Sequence, residues 1–136
     1  MWKEKDIEKS YSDGDVIIRQ GDKGREMFII QKGAVEVATA VDGKEIILAT
    51  LTRGDFFGEM SLLEKVPRSA TVRAKAATTL LVLNTGSFLL KIRRDPTFAF
   101  DILKRMSQRV RKLNEMVVAV IDKSKLSPEE ISNIIM

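Results

Sequence analysis

The sequence predicts a mainly β domain, a small barrel or sandwich, with helices following it. Between residues 11 and 84, short apolar runs are broken by Gly and Asp at spacings of roughly ten residues, the pattern of many short strands. After Asn84 the apolar period becomes helical. The length, 136 residues with 44% hydrophobic content, gives room for one domain with a real core. A single domain over 1–136 is therefore expected, with its β part at about 11–84 and C-terminal helices at about 86–136.

The expected strands are centred on Val16-Ile17-Ile18, Met27-Phe28-Ile29-Ile30, Val35-Glu36-Val37, Ile46-Ile47-Leu48 and Phe56-Phe57, then Ala70 to Ala74 and Thr78 to Asn84. The sharpest local signal is Asp42-Gly43. A type I′ hairpin needs positive φ at both central residues, and Asp-Gly adopts that at low cost. It predicts pairing of the strand around Val35–Val41 with the one around Lys44–Leu51.

Ser87 to Ile92 reads as a short helix that stops before Asp95-Pro96, because Pro disfavours helix at the residue before it. A long helix then runs from about Thr97 to Asp122. Its apolar residues Ala99, Leu103, Met106, Val110, Leu113, Val117 and Val120 alternate spacings of 4 and 3, an a/d seam. Phe98, Phe100 and Ile102 are expected to pack against the chain's own β part. The narrow stripe beyond them suits a second helix, as in a homodimer through 99–120. Met116 to Ile121 is apolar all round and needs a cover: the barrel, a partner or a ligand. Finally, Ser127-Pro128-Glu129-Glu130 forms a capping box, predicting a terminal helix with Ile131, Ile134 and Ile135 on one face.

The inventory excludes much chemistry. Without Cys there are no disulfides, thiolate nucleophiles or cysteine metal sites, and without His no Ser-His-Asp or Cys-His nucleophile. No catalytic residue, metal or cofactor is expected. The N-terminus lacks a signal-like apolar core and no run approaches a membrane span, so a cytoplasmic protein is expected. The net charge is +4, and the cluster Lys104, Arg105, Arg109, Arg111 and Lys112 reads as a solvated helix face, since no aromatics are interleaved for nucleic acid.

Residues 57–72 hold the functional candidates. Gly58 permits close backbone approach, Ser61 and Ser69 supply small hydroxyls, and Arg68 offers a forked cation that can hold two phosphate oxygens. A helical turn over Met60–Leu63 would add exposed amides. Glu59 fits beside an anion only as an acceptor, and a sugar hydroxyl is the donor that suits it.

As one string, Phe57-Gly58-Glu59, a small helix, then Pro67-Arg68-Ser69-Ala70-Thr71-Val72 resembles the phosphate-binding cassette of the cyclic-nucleotide-binding domain family. That family includes protein kinase A regulatory subunits, cyclic-nucleotide-gated channels and the catabolite activator protein. The likeness extends over roughly residues 8 to 121, through Gly14-Asp15-Val16-Ile17, Gln20-Gly21-Asp22, Gly33 to Val37 and Arg53-Gly54-Asp55-Phe56.

The resemblance implies an eight-stranded β-barrel or jelly roll, cupin-like, with an N-terminal helix and a long C-terminal helix. It implies a sensor that binds cAMP or cGMP and signals by movement of about Asp101 to Ile121 to a dimer partner or a fused effector. Glu59 would accept from the ribose 2′-hydroxyl and Arg68 would pair with the cyclic phosphate. The amides near Met60, Ser61 and Ala70 and the Ser69 hydroxyl would complete the cradle.

The sequence also departs from its relatives. About 14 residues follow the long helix where catabolite-activator-type regulators carry a helix-turn-helix, so direct DNA binding is not expected. No aromatic follows Phe100 to lid the base, leaving Lys112, Asn114, Val117 or Val118 as lid candidates. Two rival readings are an interaction module that keeps the scaffold without binding nucleotide, and a cupin-type metalloenzyme, against which the lack of His stands.

Overall fold

The computed structural model describes residues 7–124 and 127–135, without the side chains of Ser124, Ile131, Ile134 and Ile135. The expected N-terminal helix and the apolar face of the terminal helix lie outside that description. The chain forms two compact units, 1–94 and 95–136.

The first unit holds β1 (Ile7–Tyr11), β2 (Val16–Ile18), β3 (Met27–Lys32), β4 (Ala34–Val41), β5 (Lys44–Thr52), β6 (Phe56–Phe57), α1 (Glu59–Glu64), β7 (Thr71–Ala74), β8 (Thr78–Leu83) and α2 (Thr85–Arg94). The strands pair antiparallel in two four-stranded sheets, β1-β8-β3-β6 and β2-β7-β4-β5. The expectation of a closed barrel is corrected here: among the described residues no ladder joins one sheet to the other. The core fills between them instead, with Phe28, Ile30, Val35, Phe57, Val72, Leu80 and Val82 buried as one cluster. This is the sandwich solution for two sheets that each have one apolar face.

The Asp42-Gly43 hairpin forms as its sequence dictates. Both residues have positive φ, 52° and 75°, and Val41 pairs with Lys44 across the turn. At the outer edge of that sheet, β5 leaves Ile46, Ile47 and Leu48 exposed. The first strand begins earlier than expected, at Ile7. Its sequence, Ile-Glu-Lys-Ser-Tyr, lacks a strand-like apolar alternation because it is an edge strand paired only to β8, and edges take charged residues such as Glu8 and Lys9.

The second unit consists of α3 (Pro96–Ser124) and α4 (Pro128–Ile135). The capping box closes as read: the Ser127 hydroxyl accepts from the Glu130 amide at 3.2 Å and the Glu130 carboxylate accepts from the Ser127 amide at 3.4 Å. Along α3, Leu103, Val110, Leu113, Val117 and Val120 of the seam are exposed. Of the three residues expected to seat the helix, Ile102 is buried and Phe98 half-buried, while Phe100 is 66% exposed. Positions 98 and 102 share a helix face, but 100 lies about 200° around from 98, so all three were never able to face one way. No helix among the described residues is long and apolar enough to cross a membrane.

Candidate functional site

Three segments distant in sequence meet around one side chain. The β3–β6 ladder pairs Phe28 with Phe57, and the β2–β7 ladder pairs Ile18 with Val72. The first ladder gathers the chain just before β3 and just after β6, and the side-chain bonds of Arg68 bring the chain just before β7 to the same place. Gly58 ends β6 and caps α1 with φ 81°, a left-handed backbone that turns the chain sharply from strand to helix. Glu59 opens α1, whose first amides have no partner within the helix by its geometry. Glu59 is half-buried, Met60 exposed and Ser61 buried. Past the helix, Ser69 is exposed and Ala70 buried on the way into β7.

Arg68 is the centre of this arrangement. It is only 6% exposed, although it carries a charge, and its guanidinium lies 5.7 Å from the ring centroid of Phe28. Both of its side-chain hydrogen bonds leave from one nitrogen: Nη1 donates to the carbonyl of Glu26 at 2.8 Å and to that of Gly58 at 3.2 Å. Nε and Nη2 make no hydrogen bond to the described residues, yet no buried side-chain nitrogen there lacks a partner, so that edge of the fork retains access to the surface. Burial pulls the Arg68 pKa below the usual guanidinium value, and the Glu26 carboxylate partly restores it. An arginine does not lose its proton on that account. The shift states that the fold holds a cation where a cation is costly.

The backbone of Arg68 is fixed as firmly. The Gly21 amide donates to its carbonyl at 2.8 Å, and its own amide donates to the Asp22 carbonyl at 2.9 Å. The Gln20 amide, one residue earlier, donates to Thr71 Oγ1 at 3.0 Å. The loop between β2 and β3 therefore runs antiparallel to 68–71 and fastens Arg68 at both its main chain and its side chain.

Of the seven residues singled out in the sequence, Gly58 and Arg68 are in direct contact, and Glu59 follows Gly58 on the same turn. The helical turn expected at Met60–Leu63 exists as α1. Sequence reasoning missed Glu26 and Phe28. Glu26 acts through its main-chain carbonyl, which no side-chain pattern reveals, and Phe28 looked like a core residue, which it also is.

A match to known proteins agrees with this geometry. The profile described as "Cyclic nucleotide-binding domain" covers residues 8–95. The chain belongs to the cyclic nucleotide-binding domain family. This domain is 36% identical over 124 residues to the "Cyclic AMP receptor protein" of Thermus thermophilus, covering 90% of this chain and 55% of that one. It is 47% identical over 70 residues to the "cAMP-dependent protein kinase regulatory subunit" of Mycosarcoma maydis, covering 52% of this chain and 13% of the relative. Among solved structures, the catabolite activator protein of Thermus thermophilus superposes with a TM-score of 0.75 at 34% identity, over 85% of this chain and 55% of that chain. The cyclic nucleotide-binding domain thus spans about half, or much less, of the length of these relatives.

Proposed function

We propose that this domain is a cyclic-nucleotide sensor that grips cAMP or cGMP by its sugar-phosphate and reports occupancy through α3. One observation carries the reading: Arg68 is a nearly buried cation whose Nη1 is tied to two carbonyls while its Nε–Nη2 edge bonds to none of the described residues. A guanidinium held this way adds little net stability to the free protein, and its planar fork suits an anion with two oxygens in a plane. Glu59, on the first turn of α1, accepts from the ribose 2′-hydroxyl. The amides of Met60, Ser61 and Ala70 and the Ser69 hydroxyl line the phosphate, with Gly58 allowing its close approach. Two of the relatives carry cyclic AMP in their names, which favours cAMP over cGMP as the first ligand to test.

A domain that only binds must act by preferring one conformation of itself. In this reading the segment Asp101–Ile121 is the element whose state changes, and its exposed seam serves a second copy of the chain or a fused effector. Titration calorimetry with cAMP, cGMP and linear 5′-AMP is the test of binding: saturable heat with a cyclic nucleotide and none with 5′-AMP is expected, and no heat with either cyclic nucleotide overturns the reading. Amide hydrogen exchange across 101–121 that is the same with and without ligand would remove α3 from the mechanism.

A further inference from the structure

We infer that Gly24, outside the cassette, is a positioning residue for the anion: its missing side chain leaves room for the Arg68 guanidinium and its ligand-facing edge. The inference rests on the cyclic-nucleotide reading above and assigns one more residue to that site.

The positive-φ glycines of this fold, Gly21 and Gly58 among them, are needed for their backbone shape. Gly24 is not one of them, so its backbone conformation does not demand glycine. What it demands is space. A Cβ built there would lie 2.5 Å from Arg68 Nη2, 2.6 Å from Nε and 2.7 Å from Cζ, all far inside contact distance. These are the atoms of the edge that the two Nη1 bonds leave unused.

The nature of the clash predicts its consequence. At Gly33 a Cβ would meet the main-chain carbonyl of Ala77 at 2.5 Å, and at Gly58 that of Glu26 at 2.9 Å, so both substitutions strain the backbone. At Gly24 all three near atoms belong to the end of one long side chain. Arg68 yields by rotating, and the fold survives. Rotation breaks the Nη1 bonds to Glu26 and Gly58; without rotation, the new side chain covers the Nε–Nη2 edge. Either way the anion loses its fork. The same loop already fastens the Arg68 main chain through Gly21 and Asp22, so Gly21, Asp22, Gly24 and Glu26 act as the wall and the clamp of the phosphate position.

The test is a graded pair, Gly24→Ala and Gly24→Val, with Lys23→Ala as the neighbouring exposed control. Affinity for cAMP is read by calorimetry, the unfolding midpoint by thermal denaturation, and the Arg68 Nε–H resonance by NMR in the free protein. The expected result is a loss of affinity rising with side-chain size, at least about tenfold for Gly24→Val, the loss of roughly one charge-assisted hydrogen bond. The Nε–H resonance shifts in both variants, their unfolding midpoints stay near that of the parent, and Lys23→Ala changes none of the three. Affinity within threefold of the parent in Gly24→Val, or an unmoved Nε–H resonance, overturns the role of Gly24 while the sensor reading stands. If the parent protein binds no cyclic nucleotide, the sensor reading fails and takes this one with it.

Discussion

Replacing Arg68 by Ala separates a binding arginine from a structural one, because the two make opposite predictions for the free protein. The side chain contributes two charge-assisted hydrogen bonds, at 2.8 and 3.2 Å, worth on the order of 1.5 to 3 kcal/mol each, and a ring contact at 5.7 Å worth roughly 0.5 to 2 kcal/mol. Against these stands the desolvation of a cation that is 6% exposed, several kcal/mol in effect. The opposing quantities are of similar size, so Arg68→Ala leaves the unfolding free energy of the free protein nearly where it was. Ligand binding has no such compensation. An enclosed phosphate without its cation costs about 2 to 5 kcal/mol, which at about 1.4 kcal/mol per tenfold is a loss of roughly 30-fold to several thousandfold. Arg68→Lys recovers part of this, because a lysine keeps the charge but not the planar fork. Calorimetry with cAMP and urea denaturation of the free protein provide both numbers. An affinity change under threefold, or a large loss of stability with affinity intact, refutes the argument.

Two further substitutions follow from the same geometry. Glu59→Gln is expected to weaken cAMP binding by about 1 to 1.5 kcal/mol, the difference between a hydrogen bond to a charged acceptor and one to a neutral acceptor, but to leave 2′-deoxy-cAMP binding unchanged; equal losses for both ligands would show that Glu59 does not read the ribose hydroxyl. Tyr11 is the chain's single tyrosine, so absorbance at 295 nm titrates it alone. Burial first, then Glu26 and Asp15, raise its pKa above 10.0. A raised folded value means that the neutral phenol favours the fold: its contribution is complete below pH 10 and is lost as pH rises through the folded pKa. A midpoint above 10 is expected, moving toward 10 in Glu26→Gln; a midpoint at or below 10 in the parent contradicts the burial of Tyr11, and an unmoved midpoint in the variant contradicts the contribution of Glu26.

What the sequence disclosed was local. Asp42-Gly43, the Ser127–Glu130 capping box and the α1 turn are each fixed by residues within four positions of one another, and each forms as read. Elements whose state depends on distant partners were less legible. β1 is a strand because β8 offers it an edge, a fact its polar sequence does not carry. Whether the sheets close into a barrel depends on strand ends far apart in the chain, and among the described residues they stay separate. In the site, the cassette residues were visible as a string, but the acceptors that hold Arg68 were not. They are main-chain carbonyls, one of them 42 residues away, and any sequence supplies a carbonyl at every position. Gly24 carries no signal in the sequence, because it is defined by the side chain that lies against it.

The contacts of Arg68 form a closed circuit, a route by which, on the proposed reading, occupancy would be felt beyond the phosphate. Arg68 lies over Phe28, and Phe28 stacks on Phe57 with centroids 4.9 Å apart and planes 15° from parallel. Phe57 is bonded to Gly58, which caps α1 and returns a carbonyl to Arg68. Two of the four links are buried aromatic rings in the core cluster, where close packing resists small displacements. A phosphate that draws the guanidinium even slightly must therefore either break the bond to Gly58 or carry the cap of α1 along with it. The second course keeps the bond to Gly58 and rotates a six-residue helix whose outer residues Met60 and Leu63 are exposed, provided that the Glu26 carbonyl follows the guanidinium. On the proposed reading, movement of α1 is expected to cost less than deformation of the sheets, and it would begin at Gly58, which joins strand, helix and Arg68.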